Sequence, residues 1–148
     1  METAAFTIYD ASAGSGKTYT LTKEYLKILF LASTDDAYRK ILAITFTNKA
    51  VEEMKSRIVS SLYQFSIDNT SDKAMDLLRD VSKDTKLSIA TIKDKSKSII
   101  KNIIHNYAAF DISTIDKFTH KVIRTFAQDL DLPPNFEVSL DTDSLLQE

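Results

Sequence analysis

The chain has 148 residues, 43% of them apolar, and a formal net charge of -2. This length and apolar content predict one ordinary domain, or part of a larger one, that buries a core without disulfides or metals. The lack of cysteine excludes disulfides, thiolate zinc sites and cysteine nucleophiles, and two histidines, His105 and His120, leave little for a histidine metal cluster. The near-neutral charge does not indicate a strongly basic nucleic-acid surface.

The first residues, METAAFTIYD, carry acidic rather than basic side chains, and the longest apolar run nearby covers only residues 28–32. Signal sequences begin with basic residues, and membrane spans need a much longer apolar run. We therefore expect a cytoplasmic protein that does not associate with a membrane.

The first part of the chain alternates strand and helix patterns. Residues 5–9 predict a short buried strand, and a helical pattern follows from about 17 to 32. A turn at 34–36 precedes a second strand at 41–45, after which Asn48 is expected to cap a helix that runs to about 64. The predicted buried faces are Leu21, Tyr25, Ile28, Leu29 and Ala32 in the first helix and Val51, Met54, Ile58 and Leu62 in the second.

The remainder is predicted to be mainly helical. Residues 66–72 are polar and loop-like, and helical patterns cover about 73–82 and 86–106. A third strand is predicted at 111–115, followed by a helix that ends before Pro133. The apolar stripes are Ile92, Ile99, Ile103 and Tyr107 in the longer middle helix and Phe118, Val122, Phe126 and Leu130 in the last one.

Strands that alternate with helices predict an α/β fold with a parallel sheet and helices packed on its faces. Residues 1–131 would form this domain, with a helical insertion at about 66–106, and residues 132–148 would begin a following segment. Because the amphipathic stretch at the end of the sequence has no stop signal, we expect the chain to be a fragment.

Both glycines of the chain, Gly14 and Gly16, lie in the loop between the first predicted strand and helix. Average usage of about 7% predicts roughly ten glycines, so backbone freedom is concentrated in this loop. Residues 11–18, ASAGSGKT, follow the phosphate-binding P-loop pattern, except that Ala11 replaces its first glycine. Such a loop turns backbone N–H groups around a phosphate, and the next helix adds its positive dipole end.

This loop predicts a site for a nucleoside triphosphate. The ammonium group of Lys17 is expected to reach the β and γ phosphates, and the hydroxyl of Thr18 to hold Mg²⁺. These two residues are the candidate catalytic groups. The residues predicted to bind the nucleotide are Ala13, Gly14, Ser15, Gly16, Lys17 and Thr18.

A P-loop enzyme also needs an acidic residue near its metal ion, usually at the end of an apolar strand. Residues 107–111, YAAFD, end an apolar run in Asp111, which leaves two interpretations open. Asp111 is either the metal-binding acid of a small, complete P-loop kinase or nucleotidase, or an ordinary residue at the start of a strand. A nucleotide-binding module without motor function is a further alternative.

Three segments, at residues 11–18, 45–58 and 113–127, carry a resemblance to a known family. They read ASAGSGKT, TFTNKAVEEMKSRI and STIDKFTHKVIRTFA. They resemble the P-loop, motif Ia and the next DNA-contacting motif of the UvrD/RecB-like superfamily 1 DNA helicases, in particular the RecB and AddA branch, where alanine commonly opens the P-loop. The resemblance implies a P-loop NTPase (RecA-like) fold, here a truncated first motor lobe that uses ATP and Mg²⁺.

The resemblance also implies contact with single-stranded DNA where the second strand ends and in the third of these motifs. The ring of Phe46 would stack on a base of any sequence. At Asp116 the chain departs from the family, in which histidine is common. The residues implied to bind DNA are Thr45, Phe46, Thr47, Asn48, Ser113, Thr114 and Phe118.

For the whole protein, the resemblance implies an ATP-dependent DNA helicase or translocase in recombination and DNA repair. Further possibilities in this branch are a C-terminal nuclease and a helicase–nuclease partner subunit. The 148 residues contain neither the family's acidic DExx motif nor the arginines of its second lobe. Because those groups hold the metal and stabilise charge on the γ-phosphate, we expect the isolated chain to hydrolyse ATP poorly.

Overall fold

A computed structural model describes residues 6–9 and 16–133 of the chain. Within this part, five α-helices and two short strands follow one another, with two 3₁₀ turns at Ala37–Lys40 and Tyr107–Ala109. The helices and strands are α1 (Lys17–Leu31), β1 (Ala43–Thr45), α2 (Asn48–Ser66), α3 (Asp72–Thr85), α4 (Ile89–His105), β2 (Ile112–Thr114) and α5 (Ile115–Thr125).

The two strands pair in parallel, with Ala43 opposite Ile112 and Thr45 opposite Thr114. This pairing confirms a parallel sheet for the second and third predicted strands, and it shows that they are neighbours in it. The prediction of a first strand is wrong over residues 6–9, because these residues have no regular structure. The side chain of Phe6 is 80% exposed rather than buried. Residue 5 lies outside the described residues. The described part of the chain is therefore mostly helical, around a sheet of two strands.

Helix α1 has almost its predicted length, but it buries a different face. Leu26 and Phe30 are fully buried, whereas Leu21 and Ile28 of the predicted face are about half exposed. Apolar residues surround most of this helix, so periodicity alone does not select the buried side. Packing against α2 and α3 selects it instead. The buried residues of α1 are Thr22, Tyr25, Leu26, Leu29 and Phe30.

Helix α2 follows its prediction closely. The whole predicted stripe is buried, together with Phe65 one turn further on. The predicted cap is displaced by one residue, because Asn48 is the first helical residue and Thr47 is the N-cap. The Thr47 hydroxyl oxygen accepts a hydrogen bond from the Ala50 N–H at 3.1 Å. Both residue types cap helices well, so the sequence alone does not separate them.

Helices α3 and α4 complete the core. Ile92, Ile99 and Ile103 of α4 are buried as predicted, whereas Tyr107 lies beyond the helix and is 49% exposed. The buried apolar side chains of both helices belong to the same cluster as those of α1 and α2. Residues 66–106, predicted to be an insertion, thus share one hydrophobic core with the helices before them.

Helix α5 is shorter than predicted and none of its residues is buried. It ends at Thr125, and residues 126–131 form turns, so Phe126 and Leu130 lie outside it. Those two side chains are 52% and 56% exposed, and Phe118 is half-buried. Residues 134–148, which include most of the predicted following segment, lie outside the described residues. No helix in residues 16–133 is both long and apolar enough to cross a membrane.

Candidate functional site

The N-terminus of α1 is built from Gly16, Lys17 and Thr18. Gly16 has a φ of 82°, in the left-handed region that favours glycine, and no described atom lies within 4 Å of where its Cβ would be. The backbone turn, rather than crowding, therefore requires glycine here. The predicted nucleotide contacts Ala13, Gly14 and Ser15 lie outside the described residues.

The first turn of α1 carries neither a side-chain cap nor an acidic residue. No described side chain caps its first backbone N–H groups, so these groups and the positive end of the helix dipole favour an anion at this point. Lys17 is exposed in the same turn, and Thr18 is half-buried. Amide donors with an ammonium group fit a phosphate chain, and a hydroxyl oxygen fits Mg²⁺. The residues present are thus compatible with a magnesium–nucleotide complex.

After this first turn, polar side chains of α1 contact carboxylates of α3. The Tyr19 hydroxyl donates a hydrogen bond to Asp80 at 2.8 Å. The Asp84 carboxylate forms ion pairs with the ammonium groups of Lys23 at 3.2 Å and Lys27 at 3.5 Å. Burial, together with the Asp80 carboxylate, raises the pKa of Tyr19 to about 12. Partial burial alone would raise the pKa of Asp84, but Lys23 and Lys27 outweigh it and hold that pKa below its ordinary value.

The other end of α1 is held by α4. The Lys95 ammonium group donates hydrogen bonds of 2.8 Å to the backbone carbonyls of Phe30 and Ala32. These carbonyls belong to the end of a helix that has no basic residue in its last turn. Lys95 thus supplies from a distant helix the cation that a helix C-terminus favours. The sequence patterns did not indicate this contact, because the partners are more than sixty residues apart.

The carboxyl ends of β1 and β2 bring most of the predicted DNA contacts to one edge. Thr45 and Thr114 are register partners there, and the next residue, Phe46, is 85% exposed. The Thr45 hydroxyl donates to the carbonyl of Thr47 at 3.2 Å, which ties the end of the strand to the start of α2. Asn48 is exposed in the first turn of α2. An edge of this kind is where open α/β sheets bind ligands.

The contacts predicted in the third motif differ in accessibility. Thr114 is only 4% exposed, and its hydroxyl oxygen accepts the Lys117 N–H at 3.3 Å, so it caps α5. Ser113 and Phe118 are half-buried. Asp116 is exposed in the first turn of α5, where its charge complements the helix dipole.

Asp111 lies away from this edge. It precedes β2, at the amino end of the strand, about 10 Å of extended chain from Thr114. Its carboxylate contacts the Lys121 ammonium group at 2.7 Å. The geometry does not favour the interpretation of Asp111 as a metal-binding acid, because such an acid belongs at the carboxyl end of its strand beside the nucleotide. Among the described residues, no cluster of three or more metal-ligating side chains is present.

Comparison with known proteins gives consistent matches. The profile of a family described as the UvrD/REP helicase N-terminal domain matches residues 4–148. Proteins named as the A subunits of ATP-dependent helicase/nucleases are also similar. That of Thermoanaerobacter sp. strain X514 is 31% identical over 136 residues, which cover 92% of this chain and 9% of the relative. That of Limosilactobacillus reuteri is 29% identical over 140 residues, covering 94% of this chain and 8% of the relative.

The chain therefore spans less than a tenth of the length of these relatives. No solved structure matches it. The family match contains all three segments in which the helicase resemblance was found, and the helicase/nuclease relatives confirm the RecB and AddA branch. The family carries a P-loop NTPase fold, in agreement with the glycine turn that precedes α1. The chain belongs to the UvrD/REP helicase family and corresponds to its N-terminal domain.

Proposed function

We propose that this chain is the N-terminal, ATP-binding part of an ATP-dependent DNA helicase or translocase that acts on single-stranded DNA in recombination and repair. One observation carries the proposal. The parallel pair of β1 and β2 puts Thr45 beside Thr114 and leaves the Phe46 ring 85% exposed at the same edge. An aromatic ring this exposed gains nothing from the core and is free to stack on a ligand.

Nucleotide binding is assigned to the loop before α1 and its first turn. The uncapped N–H groups of α1 and the Lys17 ammonium group would bind the phosphates of ATP, and the Thr18 hydroxyl would hold Mg²⁺. The metal ion neutralises charge on the phosphates when it is bound. The preceding loop residues Ala13, Gly14 and Ser15 would complete the phosphate contacts. The surrounding fold would be a RecA-like parallel sheet with helices on both faces.

DNA binding is assigned to the edge that carries Phe46. Stacking on an aromatic ring is tolerant of sequence, because every base has a flat π face, and a translocase requires this tolerance. Thr45, Thr47, Asn48 and Ser113 would offer hydroxyl and amide groups to the sugar and phosphate. Phe118 and Thr114 are more buried, so we assign them to the support of this edge.

The whole protein would act in the cytoplasm together with a second subunit. The relatives support the second subunit, because their names make each of them one subunit of an ATP-dependent helicase/nuclease. A small P-loop kinase or nucleotidase is not favoured, since Asp111 lies at the wrong end of β2 and pairs with Lys121. A nucleotide-binding module without motor function is not favoured by the family match.

Substitution of Phe46 tests the proposal. We expect Phe46→Ala to weaken binding of a fluorescent oligothymidylate to the chain by roughly 5- to 150-fold, the equivalent of one lost base stack. Fluorescence anisotropy measures the affinity. Phe46→Tyr keeps the ring and should retain most of the affinity.

Leu31→Ala is the matched control, because Leu31 is 60% exposed at the far end of α1. It should leave the affinity unchanged. Equal affinities for the wild type and Phe46→Ala, with both proteins folded, would reject the assignment of Phe46 to DNA binding.

A further inference from the structure

Tyr19 lies in the first turn of α1, directly after the two residues assigned to the phosphates and the metal ion. The first hydrogen bond within this helix joins the Thr20 N–H to the Gly16 carbonyl at 2.9 Å. The N–H groups of Lys17, Thr18 and Tyr19 precede that bond, so they have no acceptor inside the helix. The backbone of Tyr19 therefore belongs to the turn that favours an anion.

The side chain of Tyr19 connects the same turn to α3. Its hydroxyl donates a hydrogen bond of 2.8 Å to the Asp80 carboxylate, although the two residues are 61 positions apart in the sequence. Partial burial and the Asp80 carboxylate raise the pKa of Tyr19 to about 12, so the hydroxyl keeps the proton of this bond at neutral pH. One residue thus offers its backbone to the anion-binding turn and its side chain to a distant helix.

Packing of the ring does little to fix Tyr19. The residue is 40% exposed, and it lines a cavity of about 630 Å³ between α1, α2 and α3. A side chain with open space beside it has few neighbouring atoms to hold it in one place. The hydrogen bond to Asp80 is therefore the contact that fixes its position.

Asp80 has a fixed position because α3 belongs to the core. The next residue, Val81, is completely buried in the cluster that the helices share. One turn further on, Asp84 forms an ion pair with Lys23 of α1 at 3.2 Å. This pair holds the two helices together one turn beyond the contact of Tyr19. Helix α3 can thus act as a fixed support for the start of α1.

We propose that Tyr19 and Asp80 are positioning residues, which hold the first turn of α1 in the conformation that binds the nucleotide phosphates. Their hydrogen bond fixes the turn before the nucleotide binds, which lowers the cost of ordering it on binding. Neither side chain has to touch the nucleotide. The inference rests on the proposed function and deepens it, because part of residues 66–106 then contributes to nucleotide binding as well as to the core.

A purely stabilising role of the same hydrogen bond predicts a different result. A contact that only stabilises the fold changes the free energy of unfolding and leaves the affinity of the folded chain unchanged. A positioning contact changes that affinity even where every molecule is folded. The affinity of the folded chain for the nucleotide therefore distinguishes the two roles, once urea unfolding has shown that each variant is folded.

The first test measures how the full chain binds the magnesium complex of a fluorescent ATP analogue. We expect Tyr19→Phe to weaken this binding by about 2- to 10-fold, the equivalent of one hydrogen bond. Tyr63→Phe is the matched control, because it removes a hydroxyl from a tyrosine of α2 that is 54% exposed. It should leave the affinity unchanged. Equal affinities for the wild type and Tyr19→Phe, or equal losses in both variants, would overturn the proposal.

Variants of Asp80 separate the hydrogen bond from the charge. Asp80→Ala should weaken binding about as much as Tyr19→Phe, and the double variant should bind no more weakly than either single one. Asp80→Asn keeps an oxygen that accepts the bond, so it should retain most of the affinity. Asp76→Ala removes the same charge one turn earlier in α3 and should not weaken binding. Losses that multiply in the double variant would overturn the proposal.

Inorganic tripolyphosphate tests whether the phosphate-binding turn is the part affected. The magnesium complexes of ATP and of tripolyphosphate both displace the fluorescent analogue if the turn binds phosphates. Tyr19→Phe should weaken the two competitors by the same factor, because both use this turn. An unchanged affinity for tripolyphosphate beside a reduced affinity for ATP would overturn the positioning of the turn.

The outcome also separates this inference from the proposed function. If Lys17→Ala weakens magnesium–ATP binding and the Tyr19 and Asp80 variants do not, only the positioning role is rejected. If the wild-type chain does not bind magnesium–ATP, both are rejected. A lower free energy of unfolding with an unchanged affinity would make the contact purely stabilising and would also reject the positioning role.

Discussion

The helices α1 to α4 and the edge that joins β1, β2 and α5 differ sharply in packing. In the helices, Leu26, Ile58, Leu62 and Ile92 are completely buried and belong to one cluster. At the edge, α5 buries none of its residues, and Phe46 is 85% exposed. Among the described residues, those that carry the proposed DNA chemistry are therefore packed less tightly than the four helices.

The difference predicts that stability and ligand binding depend on different parts of the chain. Helices that share a buried core unfold together, whereas segments with few buried contacts open at low cost and are suited to ligands. Variants at the buried positions of the four helices should change stability and leave binding intact as long as the chain is folded. Variants at the edge and at the start of α1 should do the reverse. Three substitutions test this separation.

The largest effect is expected in the core. Leu62→Ala should lower the free energy of unfolding by about 2–5 kcal/mol, because it leaves a cavity at a position with no exposed surface. Leu130→Ala makes the same change at a side chain that is 56% exposed, and should cost less than about 0.5 kcal/mol. Urea unfolding measures both. Equal losses in the two variants would contradict the contrast between the regions.

A smaller effect, on binding alone, is expected at Lys17. Lys17→Ala should weaken magnesium–ATP binding by roughly 10- to 150-fold, the equivalent of one charge-assisted hydrogen bond of about 1.5–3 kcal/mol. Titration with a fluorescent ATP analogue measures the affinity. Lys40→Ala, at an exposed lysine of the first 3₁₀ turn, is the control and should bind normally. A large fall in the free energy of unfolding of Lys17→Ala would show that the start of α1 belongs to the stabilising region.

The smallest effect concerns the ion pairs of Asp84 with Lys23 and Lys27. Asp84→Asn should cost about 1 kcal/mol or less at neutral pH, because the pairs are partly exposed. The folded-state pKa of Asp84 is lowered, so its contribution is present above the unfolded pKa of about 3.9 and is lost as pH falls through the folded pKa.

The difference between wild type and Asp84→Asn should therefore shrink as the pH falls below about 4. Urea unfolding at a series of pH values checks this. Asp76→Asn, at a more exposed aspartate of the same helix, is the control. A difference that grows towards acid pH would contradict the role given to the two lysines.

Periodicity identified most of the helical core from the sequence. Val51, Met54, Ile58 and Leu62 were identified correctly because the opposite face of α2 is polar, so the pattern has one solution. In α1, apolar residues occur on several sides, and the partners α2 and α3 select the buried ones. Tyr107 was placed in a buried stripe, but the chain leaves the helical path at Asn106 and turns the ring outwards.

The candidate site was predicted less completely than the core. The sequence indicated the edge that carries Thr45 and Phe46, because Thr45 ends a strand pattern and Phe46 comes directly after it. It also made Asp111 a candidate metal ligand, because an apolar run that ends in aspartate does not show at which end of a strand that residue lies. The hydrogen bonds of Lys95 join partners remote in sequence, so no local pattern could indicate them.

Lys95 limits how this chain can be shortened or recombined. Its ammonium group joins α4 to the last carbonyls of α1, and the side chains of α4 lie in the same cluster as those of α1. Excision of residues 66–106 would leave two carbonyl groups without their cation and remove one wall of the core. A transplant of the phosphate-binding helix into another scaffold must therefore bring α4 with it, or supply a new cation at the same place.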